Sequence, residues 1–182
     1  EEILKIYEAL RTRPEWMQKS FHIALHTGVR FSETHIARAD VHLIDNSIVI
    51  EKPKGGRRRA FSIPIYASIV DMIKEFMAGR QAFLWQIPPK DKPIRGLIWS
   101  KFFAEIGLSH ACFHCTRVTF ISRGARAGIP QSSMMKMVNH ASAEVHRVYQ
   151  RLAPADALAL QALIPIPSAA GATLRNPKEK AG

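Results

Sequence analysis

A chain of 182 residues with 47% hydrophobic side chains has enough apolar surface for one compact domain, or two small ones, which excludes a disordered body. Its 26 Lys and Arg against 15 Asp and Glu leave a net charge of +11, favouring an extended polyanion as partner because each neutralised phosphate releases condensed counterions. No apolar run approaches the ~18–20 residues of a membrane span, and two cysteines cannot frame a disulfide scaffold, so a reducing cytoplasm is the expected compartment.

In chain order, residues 1–27 read as two helices. Ile3, Leu4, Ile6, Tyr7 and Leu10 recur at helical spacing, Pro14 sits where the second helix begins, and Gly28 follows its end as a C′ residue. Ser32 is placed to cap a short helix running through Arg38, with Glu33 in its first turn. The period then changes. Val41–Ile44 and Ser47–Glu51 read as strands joined at Asp45-Asn46, and Arg59–Ile63 as a third, after a basic hairpin tip, Lys52 to Arg57. Helical spacing returns over Ala67–Gly79. A Pro-rich connection at 87–93 leads to helices expected over Arg95–Glu105, His114–Ala127, Gln131–Val138, Ala141–Leu152 and Ala155–Leu163. Residues 164–182 read as a flexible tail or an arm lying on another subunit. The fold class expected is α+β, mainly helical with a small three-stranded antiparallel sheet.

Four places combine charge or nucleophilicity with a turn or helix start. In Thr27-Gly28-Val29-Arg30, a tight turn holds the arginine near the backbone, its fork matches a phosphate bidentately, and Glu33 can orient it. At the hairpin tip, Lys54 beside Gly55 and Gly56 is a proton donor on a loop that can press against a phosphodiester, with Arg57, Arg58 and Arg59 as DNA contacts. His114 and Arg117 lie three apart on one helix face, a pairing that suits proton transfer beside a stabilising charge. His140 stands at a turn, and Tyr149 lies late in the helix after it, where a phenol can be a core aromatic or a covalent nucleophile. Taken singly, each also reads as ordinary structure: a surface arginine at a cap, a solvated basic loop, a satisfied helix-start histidine, a core tyrosine. A metal site on Cys112, His114 and Cys115 lacks a fourth ligand.

Together, one Tyr, two Arg, one Lys and two His on a +11 chain match the needs of phosphodiester transesterification, in which guanidiniums neutralise the charge that metals neutralise elsewhere. The sequence offers no Asp/Glu cluster for a two-metal nuclease.

At this point the chain resembles the tyrosine recombinase (phage integrase) family over about residues 1–152. Thr27, Gly28, Val29, Arg30 and Glu33 resemble its T-G-[LV]-R-x-x-E box, and Lys54 falls at its β-hairpin lysine. His114, Cys115, Thr116 and Arg117 resemble its H-x-L-R, and Val138-Asn139-His140 its L-G-H. Tyr149 completes an H-x₈-Y pattern. Thr116 replaces the common Leu, Asn139 the common Gly, and Val118 a frequent His. The resemblance implies a DNA breaking–rejoining catalytic fold over residues 1–163, with a tail at 164–182. It implies attack by Tyr149 on the scissile phosphate to give a 3′-phosphotyrosyl bond, clamping by Arg30 and Arg117, general-acid action by Lys54, and proton or phosphate contacts from His114 and His140. No metal, ATP or other cofactor is expected. The implied partners are double-stranded DNA and three further copies in a tetramer on paired sites, with Ala155–Ile166 packing on a neighbour; a start at Glu1 without Met fits an upstream core-binding domain missing from this chain. Two alternatives stay open: a type IB-like topoisomerase, and a non-catalytic helix-turn-helix-like module built on residues 128–152.

Overall fold

The computed structural model describes residues 1–50, 61–86 and 95–140. Helix α1 (Glu2–Leu10) buries Ile6 and Leu10, and α2 (Glu15–Thr27) starts behind Pro14, whose carbonyl accepts the Met17 and Gln18 N–H groups. Nearly every side chain of α2 is buried, polar ones included, so it is the central helix of the domain. Its C-terminus is turned by Gly28 at φ 70°, with Gly28 N–H bonded to Ala24 O at 2.9 Å. A Cβ there would lie 2.4 Å from Phe120 Cδ1 and 2.9 Å from Val138 Cγ1, so the position also demands the smallest residue for close packing.

The sheet has the order β1-β2-β3, all antiparallel: β1 (Val41–His42), β2 (Ser47–Ile50) and β3 (Phe61–Pro64). Val41 pairs with Ile48, which pairs in turn with Ile63, while Ile50 faces Phe61. Ile48 and Ile50 are buried and Val49 only partly, the alternation of a sheet with one face on the core. The first strand is shorter than its sequence predicts. Leu43–Asn46 leave the ladder in a turn closed by Asn46 N–H to Leu43 O, with Asn46 at φ 46°.

The helix expected over Ser32–Arg38 is instead two short 3-10 turns, Phe31–Thr34 and Arg38–Asp40. Ser32 does not cap. Arg30 occupies the capping position and donates its own N–H to the Glu33 carboxylate at 2.7 Å. Arg38, at the head of the second turn, closes the far end of α3 (Ala67–Ala78) by donating to the carbonyls of Phe76, Met77 and Gly79, each at 2.7 Å.

Helices α4 (Arg95–Glu105), α5 (Cys115–Arg126) and α6 (Gln131–Met137) complete the described fold within two residues of their expected bounds. The main core joins α1, α2, the sheet, α3 and α4 around Trp16, Phe21, Trp85, Trp99, Phe102 and Phe103. A second small core, Phe120, Ile121, Met134 and Val138, joins α5 to α6. No helix of the described residues is long and apolar enough to cross a membrane. The strand start at 59–60, Glu51, the basic tip with Lys54 and Arg57–Arg59, the connection at 87–93, the helices expected over 141–152 and 155–163, Tyr149 and the tail at 164–182 lie outside the described residues.

Candidate DNA-cleavage site

The site is assembled around Arg117, which is 1% exposed in the first turn of α5. Its Nη1 donates to Gly28 O at 2.7 Å, its Nη2 to Val138 O, and its Nε to His140 Nε2 at 3.3 Å. Those partners lie 89, 21 and 23 residues away, at the end of α2 and just beyond α6. One guanidinium therefore pins together the turns that carry Arg30 and His140. The carbonyls it meets are ones that helix ends leave without intrahelical partners. Because a guanidinium has no acceptor, the hydrogen shared with His140 belongs to Arg117, and His140 Nε2 presents its lone pair.

The turn bearing His140 is a Schellman motif. Asn139 has φ 50°, its N–H bonds to Lys136 O at 3.2 Å, and His140 N–H bonds to Met135 O at 2.9 Å. Asn tolerates this left-handed conformation better than other residues with a Cβ, which is why it can stand where Gly is common. Asn139→Gly is expected to leave thermal stability unchanged or raised, whereas Asn139→Val is expected to cost about 1–2 kcal/mol and to shift the His140 ring. Denaturant titration checks the first and ring NMR the second. Equal stability of the two variants would show that the turn is not strained.

Arg30 and His114 are brought together by aromatic neighbours that the sequence analysis did not single out. Phe31 follows Arg30, Phe113 precedes His114, and the two rings meet edge-on at 4.9 Å, with Phe113 also 4.7 Å from Trp99. Their helical or strand period is silent because both sit in turns; only their position beside charged residues marked them. Glu33, 5% exposed, holds Arg30 twice, accepting its backbone N–H at 2.7 Å and its Nη1 at 3.0 Å. That double hold keeps a partly exposed guanidinium in one orientation.

His114 is the N-cap residue of α5 and is exposed. Desolvation, then the positive charges of Arg117 and Arg30, push its imidazole below the usual histidine range, so it is neutral at pH 7. Both guanidiniums act on this one ring, and Arg117 also bonds His140, so the four groups lie around a single cationic centre. Among the described residues, no group of three or more His, Cys, Asp or Glu side chains is arranged to hold a metal ion.

The phage integrase family model matches residues 1–156. The chain belongs to the phage integrase family. No curated protein sequence matches it. Among solved structures, the fold of this family member is similar to that of XerA recombinase, with a TM-score of 0.64 at 17% identity over 83% of this chain and 58% of that one. It is likewise similar to XerH site-specific recombinase in a post-cleavage complex with palindromic difH substrate (TM-score 0.61, 18% identity, 82% and 48% covered). A lambda integrase dimer bound to a COC′ core site gives a TM-score of 0.57 at 19% identity, covering 82% and 46%. The chain thus spans about half to three-fifths of the length of these structures. This phage integrase family member shares with them the fold of the tyrosine recombinase catalytic domain.

Proposed function

We propose that this chain is the catalytic domain of a site-specific DNA recombinase or integrase, acting on double-stranded DNA through a 3′-phosphotyrosyl intermediate. The observation that carries the reading is the anchoring of Arg117 to Gly28, Val138 and His140, which gathers four charged or titratable groups from distant parts of the chain. Recombinase structures of the same fold, two of them bound to DNA target sites, support the substrate class.

In this reading Arg30 and Arg117 neutralise the non-bridging oxygens of the scissile phosphate as charge builds on them. Neutral His114 accepts a proton from the attacking Tyr149 phenol. His140, its Nε2 held by Arg117, steadies that guanidinium and offers its other ring nitrogen to the phosphate. Lys54 protonates the departing 5′-oxygen. The phosphotyrosyl bond stores the energy of the broken one, so a second strand's 5′-hydroxyl can reverse the step without ATP. Arg57, Arg58 and Arg59 add backbone contacts that position DNA without reading its sequence. Residues 1–163 form the catalytic domain, and strand exchange on paired sites calls for a tetramer, with Ala155–Ile166 packing on the next copy and 164–182 as a tail.

A nicked suicide substrate tests this. The chain is expected to form a DNA adduct that survives SDS, and Tyr149→Phe to form none while retaining nonspecific DNA binding, which is spread over many Lys and Arg. An adduct that persists in Tyr149→Phe would move the nucleophile elsewhere, and no adduct from either protein would leave a DNA-binding module without catalysis. Supercoil relaxation without two-site recombination would favour a topoisomerase.

A further inference from the structure

Immediately before α5 the chain reads Cys112-Phe113-His114-Cys115, so its two cysteines bracket the candidate-site histidine. Both thiols are free. Cys112 is exposed and Cys115 half-buried. A tight turn joins them: Cys115 N–H bonds to Cys112 O at 2.9 Å, Cys112 N–H points back to Cys115 Sγ at 3.4 Å, and the sulfurs stand 3.7 Å apart. An i to i+3 turn holds its end Cα atoms within ~7 Å, inside the range a disulfide spans. Such a small loop adds little to fold stability, so its proximity points to chemistry at the sulfurs.

We propose that Cys112 and Cys115 are a reversible dithiol–disulfide pair, oxidised by a low-molecular-weight disulfide, whose closure displaces His114 and slows DNA cleavage. Exposed Cys112 meets the oxidant first. Its thiol gives a proton to solvent, and the thiolate attacks one sulfur of the small disulfide and expels a thiolate that takes up a proton. Cys115, deprotonated in turn, attacks Cys112 Sγ and expels the second small thiol. Two protein thiols become one disulfide, and the two electrons leave in two molecules of small thiol. Burial pushes the Cys115 thiol up, which suits it to the second, intramolecular step, where proximity compensates for a scarce thiolate. Closure draws the sulfurs from 3.7 Å to about 2.05 Å. The residues between them must absorb that movement. His114 lies between the two cysteines and must shift with the closing loop, whereas Arg117 lies outside it and is held by two buried carbonyls, so the histidine moves relative to the guanidinium.

The effect on cleavage rests on the recombinase reading, but formation of the bridge and displacement of His114 do not. The 182-residue chain is equilibrated with oxidised and reduced glutathione. Thiols are titrated, the intact mass is recorded, and His114 ring resonances are followed without DNA. Oxidation is expected to remove both titratable thiols and two hydrogens of mass, leave no glutathione attached, and shift the His114 resonances. Adduct formation on nicked DNA is expected to fall by about tenfold or more and to return with dithiothreitol. Cys112→Ser is expected to keep the reduced rate and ignore the oxidant. Two thiols that stay titratable, a mixed disulfide that persists on Cys112, or a bridge with unmoved His114 resonances each overturn the proposal. So does a bridged chain that forms adduct at the reduced rate. If the reduced chain forms no adduct at all, the recombinase reading fails, and the thiol, mass and NMR results still decide the pair.

Discussion

Arg117→Ala is expected to destabilise the domain by about 3–5 kcal/mol and to abolish phosphotyrosyl formation. Removing the guanidinium strands the Gly28 and Val138 carbonyls in a site where Arg117 is 1% exposed. Each buried acceptor left unsatisfied costs about 1–3 kcal/mol, and the vacated volume adds more. For a chain of this length that corresponds to a fall of roughly 10 °C in Tm. Arg117→Lys separates charge from geometry. It restores a positive charge, but an ammonium donates from one atom and cannot reach two carbonyls and an imidazole on diverging lines. Lys is expected to recover part of the DNA affinity, little of the stability and almost none of the adduct. Thermal melts and the nicked-substrate assay measure these independently. A lysine variant as stable as the parent would show that the three-way anchor is not what holds the ends of α2 and α6 together.

The anchor also shows how far the sequence could be read. Gly28, Arg30, His114, Arg117 and His140 were legible because turn chemistry and charge mark them locally, and their registers match a family pattern. What a sequence cannot carry is which way a long side chain goes. Arg117 and His114 were expected to project together from one helix face, whereas Arg117 turns into the interior to bond groups 21 and 89 residues away. Ser32 is a good capping residue by type, yet Glu33 satisfies the Arg30 N–H and the chain closes into a 3-10 turn. Leu43 and Ile44 extend the apolar pattern of the first strand, but Asn46 turns the chain before they can pair. Exposure confirms it, since Ile44 is 98% exposed. Lys54 and Tyr149 remain assignments from pattern, outside the described residues.

Two histidines that no motif marked, His22 and His26, are expected to make the domain sensitive to mild acid. They meet inside the domain on α2, rings tilted at 42° with centroids 4.5 Å apart, between Tyr7 and Ser68. His22 Nε2 faces the Ser68 carbonyl at 2.7 Å, so that nitrogen bears the hydrogen and Nδ1 accepts from the Tyr7 hydroxyl at 2.8 Å. The Tyr7 oxygen, its hydrogen so used, accepts from His26 Nε2 at 3.4 Å, and His26 Nδ1 accepts from the Ser68 hydroxyl at 3.0 Å. With both rings neutral every group in this arrangement is satisfied, and an added proton on either ring would meet another donor unless the hydroxyl hydrogens turned. Desolvation, then the His22 ring and the Arg123 charge, push His26 down to about 3; desolvation lowers His22 as well.

In the unfolded chain both rings take up protons near pH 6.5 while the folded rings do not, so this stability is complete above that pH and lost as the pH falls below it. A single such histidine loses about 1.4 kcal/mol per pH unit, so His26 alone removes about 2 kcal/mol by pH 5, still above the range where carboxylates titrate. His22 acts in the same direction. Denaturant titrations at pH 7.5 and pH 5.0 are expected to differ by at least that amount. His26→Gln, whose amide can both donate and accept in place of the ring, is expected to flatten the dependence. A parent chain equally stable at the two pH values, or a glutamine variant with the parent's slope, would show that the pair is not buried neutral. Because His26 adjoins Thr27 and the Gly28 turn, acid is expected to loosen the end of α2, and with it the carbonyl that Arg117 grips, before the remaining core gives way.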